Sequence, residues 1–148
     1  MISKGMTTLL AALLVTGCVS GVSNEQARWL QPAQAIQLAA DAAPRGAVGT
    51  FAMQVNGIGH QDGATYLNSE ADYRDQRNLT VALTPEAARQ LELRLGEPLA
   101  VALEQKRILV QGAATRVRID FTTAGQPTGK YYYQTHVRVT DASRIQLQ

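Results

Sequence analysis

The hydrophobic pattern of the chain changes character twice. Met6 to Val15 is an almost unbroken apolar run behind one basic residue, Lys4, and it ends in the small residues Thr16-Gly17-Cys18. A positive start, an apolar stretch too short to span a bilayer and a small-residue end describe a secretory signal, residues 1–17. The other reading of the same run is an apolar helix packed in a core, with Cys18 a buried small residue. Residues 18–46 read as a tether holding one short helix. Asn24 can cap it, Trp29, Ala33, Ile36 and Ala40 fall on one helical face, and Pro32 fits the first turn of a helix starting near Gln31. Trp29 would rest on a membrane surface or dock on the domain that follows.

From Ala47 the period becomes two. Phe51, Met53 and Val55 alternate with Ala52, Gln54 and Asn56 in a first strand, Ala64–Leu67 forms a short second one, and Leu79, Val81 and Leu83 alternate in a third. Asn56-Gly57 and His60-Gln61-Asp62-Gly63 supply turn chemistry between the first two. Thr84-Pro85-Glu86 starts a helix with Ala88, Leu91 and Leu95 on its buried face, and Gly96 with Pro98 stops it. A long strand region follows through Ile108–Val110 and Val117, Ile119 and Phe121, with Gly112 as a bulge or bend. A turn over Thr123–Gly129, a last long strand Tyr131–Val139 and an edge segment Arg144–Leu147 complete the chain. Three strands, a helix and two strands predict a mainly β fold: a five-stranded OB-fold-like barrel over residues 47–148.

The ending Leu14-Val15-Thr16-Gly17-Cys18 resembles the bacterial lipobox. The resemblance implies cleavage before Cys18 and its lipidation with acyl chains such as palmitate, which makes Cys18 the membrane anchor. Val19, rather than the Asp that commonly marks inner-membrane retention in Gram-negative lipoproteins, points to an outer-membrane lipoprotein facing the periplasm. The stretch Thr65–Leu83, including Asp72-Tyr73-Arg74-Asp75-Gln76-Arg77, is similar to the second and third strands of bacterial envelope OB-fold modules. Val137–Ile145 is similar to their closing strand. Such modules occur as accessory domains of secreted nucleases and in small lipoproteins. The resemblance implies the fold and carries no catalytic residue with it.

Composition changes this picture in three places. At 148 residues the chain supports one domain, and its single cysteine excludes an internal disulfide or a zinc site of paired cysteines. The overall charge of +2 is unevenly spread, with residues 106–148 carrying net +5 and residues 18–105 net −4. Strand parity places Arg116 and Arg118 on the outside if Val117, Ile119 and Phe121 face in, and Tyr132, Gln134, His136 and Arg138 on the outside if Val137 and Val139 face in. Merged, these would form a basic, aromatic surface able to bind single-stranded nucleic acid or another polyanion, or simply a solvated outer sheet face.

The Asp72–Arg77 segment offers a second candidate site. Tyr73 could stack on a ligand and Arg74 or Arg77 could hold an anion, or the acids and arginines could pair with one another in a structural connector. His60, Asp62 and His136 suggest a metal only weakly, and no nucleophile motif, phosphate-cradling glycine loop or zinc-protease helix is present. No cofactor, metal or catalytic residue is therefore expected. The function expected is non-catalytic binding of an envelope protein or glycan, with nucleic acid as the alternative and a metal-dependent enzyme as the remote one.

Overall fold

The structure, a computed structural model, describes residues 29–148. The signal segment, Cys18 and the Asn24 cap lie outside these residues. Leu30 opens the described chain by pairing with β1 (Ala47–Gln54). Its N–H donates to the Thr50 carbonyl at 2.9 Å, and its own carbonyl accepts from Ala52 at 2.9 Å. Helix α1 (Pro32–Ala42) follows, with Pro32 in its first turn and the Gln34 side chain accepting from the Gln31 N–H at 2.9 Å. The helix is turned by about one residue from the expected face. Ala35 and Ala39 are fully buried, whereas Ala33 is exposed and Ile36 and Ala40 are half-buried. Two alanines let the helix axis approach β1 and β5 more closely than Ile36 at the centre would. The end of the expected tether is thus packed on the sheet.

The remaining strands are β2 (Gly57–Gln61), β3 (Ala64–Asn68), β4 (Leu79–Leu83), β5 (Arg107–Thr123), β6 (Gln126–Val139) and β7 (Ile145–Leu147). Helices α2 (Pro85–Leu95) and α3 (Leu99–Leu103) stand between β4 and β5. The sheet order is β1-β5-β6-β4-β3-β2, with β7 also on β5. Each pair is antiparallel except β4 with β6, which run parallel.

Seven strands replace the five expected, and the sheet is not closed into a barrel. The reason is local. The chain bends at Val55-Asn56, where Val55 exchanges 2.8 Å hydrogen bonds with Lys106 and Gln105 and Asn56 donates to the Asn68 carbonyl at 2.8 Å. The residues before the bend pair with β5 and those after it pair with β3. Asn56-Gly57, which reads as turn chemistry, runs straight into β2, and His60-Gln61, read likewise, ends that strand. Only Asp62 and Gly63, with φ of 51° and 79°, turn the chain back.

Two other expectations shift. The helix Thr84 caps is as anticipated, its hydroxyl accepting from Ala87 N–H and Gly96 ending it with φ 77°, but α3 was unforeseen. Gly112 is no bulge: it continues β5 opposite Gly49, and a Cβ on it would lie 2.8 Å from Val137 Cγ1. The register shifts instead around Phe121, and the hairpin turn is only Ala124-Gly125, both with positive φ. Pro127 and Gly129, expected in the turn, lie in β6.

The core is filled by the inward positions Phe51, Met53, Leu67, Leu79, Val81, Leu83, Ile108, Val110, Val137 and Val139, closed off by Ala87 and Leu91 of α2 and Leu99 and Leu103 of α3. Beyond Ala114, β5 has no β1 partner, and before Thr135, β6 has no β4 partner. The rest of these two strands forms a two-stranded ribbon projecting roughly 30 Å from the sheet at about 3.3 Å per residue.

Candidate functional site

Register decides which side chains meet. Thr80 lies beside His136, Asn68 beside Thr80, and Gln134 beside Val117. The inward neighbours Leu67, Leu79, Val81 and Val137 fill the core, so Tyr66, Asn68, Thr80, Gln134 and His136 point to the outer face of β3, β4 and β6. The ribbon continues this face with Val117, Ile119, Phe121 and Tyr132. Together with the β2 rim and Tyr73 and Arg74 from the β3–β4 connection, they enclose an open groove of about 940 Å³.

The floor of the groove is a buried amide network. Asn78, 3% exposed, donates from Nδ2 to Asn68 Oδ1 at 3.0 Å, Thr80 Oγ1 at 2.9 Å and the Tyr73 carbonyl at 3.2 Å. Its Oδ1 accepts from the Glu70 N–H at 3.0 Å and from Ser69 Oγ at 3.4 Å. Thr80 Oγ1 donates to Asn68 Oδ1 at 2.9 Å, and Ser69 Oγ accepts from the Leu79 N–H at 2.8 Å. Among the described residues every fully buried side-chain polar atom finds a partner, and the β3–β4 connection is held onto the sheet.

The β6 wall carries a second chain of contacts. Gln134 Nε2 donates to the Tyr132 hydroxyl at 2.6 Å, and its Oε1 lies 2.7 Å from His136 Nε2. Burial pushes the His136 pKa below the ordinary histidine value, favouring the neutral ring. Tyr66 lies across from it with ring centroids 6.2 Å apart, and Phe121 packs on Tyr132 at 5.2 Å.

The Asp72–Arg77 loop is self-paired. Arg74 and Arg77 each make two side-chain hydrogen bonds, and one from the backbone N–H, to the acid two residues earlier, Asp72 and Asp75. The Arg77 guanidinium and N–H hold the Asp75 carboxyl down to about 2, and Arg74 likewise lowers Asp72. Tyr73 and Arg74 stand at the groove rim, whereas Arg77 is outside its lining.

The expected merged basic face does not form. Arg116 pairs across the ribbon with Thr135 and Arg118 with Tyr133, so both arginines share a face with Tyr131 and Tyr133, opposite to that of Tyr132 and His136. The even-numbered positions of β5, including Ile108, Val110 and Ala114, face inward, and Val117 and Ile119 accordingly face the groove. Arg116 lies 3.7 Å from the Tyr133 ring centroid and Arg118 4.1 Å from that of Tyr131, and Arg118 also pairs with Asp120 at 2.7 Å. Arg138 is on the outer face beside Ala82, away from the main groove lining.

His60 and His136 both reach the groove, but His60 bonds Thr65 Oγ1 at 3.1 Å, and among the described residues no three His, Cys, Asp or Glu side chains converge as metal ligands. Nor is any described helix long and apolar enough to cross a membrane. Sequence reasoning missed Tyr66, Thr80 and Asn78 as site residues. The strict alternation of Leu79, Val81 and Leu83 was the available signal that Thr80 faces outward. Comparisons with family models, curated protein sequences and solved structures find no match to this chain.

Proposed function

We propose that the chain is a lipid-anchored binding module of the OB type that holds an uncharged glycan strand of the cell envelope in this groove, without catalysis. The fold part of this reading is supported by the strand connections. Taken as one bent strand, residues 47–61 pair with both β5 and β3, β4 runs parallel to β6, and a helix follows the third strand of that count. The anchor is Cys18, with the domain facing the periplasm from the outer membrane.

The observation that carries the ligand class is the groove lining. Its tyrosines, amides, hydroxyl and neutral imidazole offer stacking faces and hydrogen bonds, and its charges, Arg74 and Asp120, are each paired within two residues. A sugar chain uses both kinds of contact and brings no charge to neutralise. A protein partner gripped by Arg74 and Arg77 is less well supported, because both guanidiniums are engaged by their own loop. A polyanion has one observation in its favour, the Arg116–Tyr133 and Arg118–Tyr131 stacks on the reverse of the ribbon. Its binding would weaken with salt, with the slope reduced by about one in Arg116→Ala.

The test is titration of the full-length chain in detergent with neutral β-linked oligosaccharides, followed by calorimetry. Saturable binding abolished by Tyr66→Ala and Tyr132→Ala is expected. Absence of binding at millimolar sugar would overturn the reading. For the anchor, Cys18→Ser should abolish incorporation of labelled palmitate in cells.

A further inference from the structure

The amide network fixes the direction of one donor in the groove. The Glu70 backbone N–H can only donate, so the Asn78 atom it meets at 3.0 Å is the side-chain oxygen. The Tyr73 carbonyl can only accept, so the Asn78 atom 3.2 Å from it is the amide nitrogen. That nitrogen also meets Asn68 at 3.0 Å, and the Asn68 atom facing it is therefore the oxygen, which accepts from the Thr80 hydroxyl as well. Two backbone groups thus set the orientation of two side-chain amides in sequence.

The consequence is a free Asn68 Nδ2. It has no hydrogen-bond partner among the described residues, it is not among the buried orphaned atoms, and its side chain, 6% exposed, lines the groove. The two neighbouring acceptors, Asn68 Oδ1 and Thr80 Oγ1, already receive hydrogen bonds from within the network. At this point the floor therefore presents N–H donors. A sugar hydroxyl that accepts here must place its own proton elsewhere. A carbonyl oxygen brings acceptor lone pairs alone and meets the site without a leftover donor. The same groove lining holds Val117, Ile119 and Phe121, an apolar surface for a methyl group.

We propose that Asn68 is the specificity determinant of the groove and that it donates to the carbonyl of an acetamido group, so that the ligand is an N-acetylated glycan. This rests on the reading of the groove as a glycan site. Gly59, on the rim, keeps access open: a Cβ placed on it would meet nothing within 4 Å.

The experiment compares the β-1,4-linked tetramer of N-acetylglucosamine with that of glucose, on the full-length chain in detergent. The acetylated tetramer should bind about tenfold or more tightly, the effect of covering the Asn68 donor with a carbonyl rather than with a hydroxyl whose own proton is left without an acceptor. Asn68→Asp retains an oxygen toward Asn78 and Thr80 and replaces the free N–H2 by an acceptor. It should erase the preference for the acetylated tetramer, because a ligand carbonyl would then face an acceptor in place of the donor. Equal binding of the two tetramers by the unmodified chain overturns the proposal and spares the glycan reading. Binding of neither overturns both. Asn68-dependent binding of an N-acetylated peptide in place of either sugar overturns the glycan and assigns the donor to a peptide carbonyl. The ligand comparison needs no variant, so a poorly folding Asn68→Asp does not blunt the test.

Discussion

Asn78→Ala tests whether the amide network holds the β3–β4 connection and the groove floor together. The substitution removes five polar contacts, three shared by the two Nδ2 hydrogens and two accepted by Oδ1. They are not equivalent. The Tyr73 carbonyl belongs to an exposed residue and can turn to water. Ser69 Oγ keeps the Leu79 N–H, and Asn68 Oδ1 keeps the Thr80 hydroxyl. What is left unmatched is the second acceptor function of Asn68 and Thr80 and the half-buried Glu70 N–H. At about 1–3 kcal/mol for each buried polar group deprived of its partner, and less for those still bonded once, the loss should be about 3 kcal/mol. For a domain of this size that is a fall of roughly 10–15 °C in Tm. Urea denaturation of the variant, with the midpoint and slope fitted together, measures it. A loss below about 1 kcal/mol at unchanged slope would refute the reasoning, since even one fully orphaned group should exceed that. Asn78→Asp should be worse near neutral pH, because its carboxylate would face Asn68 Oδ1. It should recover as the pH falls and a protonated acid can donate.

Four further outcomes are expected. Gly112→Ala should destabilise by about 1–3 kcal/mol through overpacking on Val137, and adding Val137→Ala should relieve part of it, a coupling read from a double-mutant cycle in urea. His136 has a folded pKa lowered by burial, so the unfolded chain takes up its proton first. Its contribution is fully present above the unfolded value of 6.5 and is lost as the pH falls through the folded one; His136→Gln should flatten the decline in Tm that begins near pH 6.5. Arg94→Ala should cost about 1–2 kcal/mol in urea, and Arg94→Lys should not restore it, because the guanidinium donates to two carbonyls at once, Ala142 at 2.9 Å and Ile145 at 2.6 Å. Removing Arg74 and Arg77 together should leave Tm almost unchanged by calorimetry, since both guanidiniums are exposed to solvent.

Much of the fold was legible because it follows from short-range rules. The alternation of Leu79, Val81 and Leu83, the Thr84-Pro85 start and the Gly96 stop all act within a few residues of themselves. Gly57 misled because glycine marks turns by its freedom, while here it sits against the Glu70 and Ala71 carbonyls. The charged loop drew attention as charge does, yet Asp72-x-Arg74 and Asp75-x-Arg77 satisfy themselves. The groove was hidden because faces depend on register. Parity along β5 and along β6 is readable separately, but which parity of one meets which of the other is set by the hairpin and the irregularity at Phe121. One residue of difference exchanged Tyr132 and His136 for Tyr131 and Tyr133 as neighbours of the arginines.

The parallel pairing of β4 with β6 has a kinetic consequence. The β2–β3–β4 meander and the β5–β6 hairpin can each close through short turns, but no turn can place β6 parallel to β4. The chain must first lay down α2, α3 and the whole of β5 before the β4–β6 ladder joins Leu79 to Thr135, and the antiparallel β1–β5 ladder likewise joins Ala47 to distant Ala114. Such distant pairings put folding on a time scale of roughly milliseconds to seconds. Until β6 arrives, Leu79–Leu83 is an apolar strand with one edge unpaired, able to add to another chain. The ladder that completes the groove floor thus has to form late, and the interval before it closes exposes this protein to aggregation.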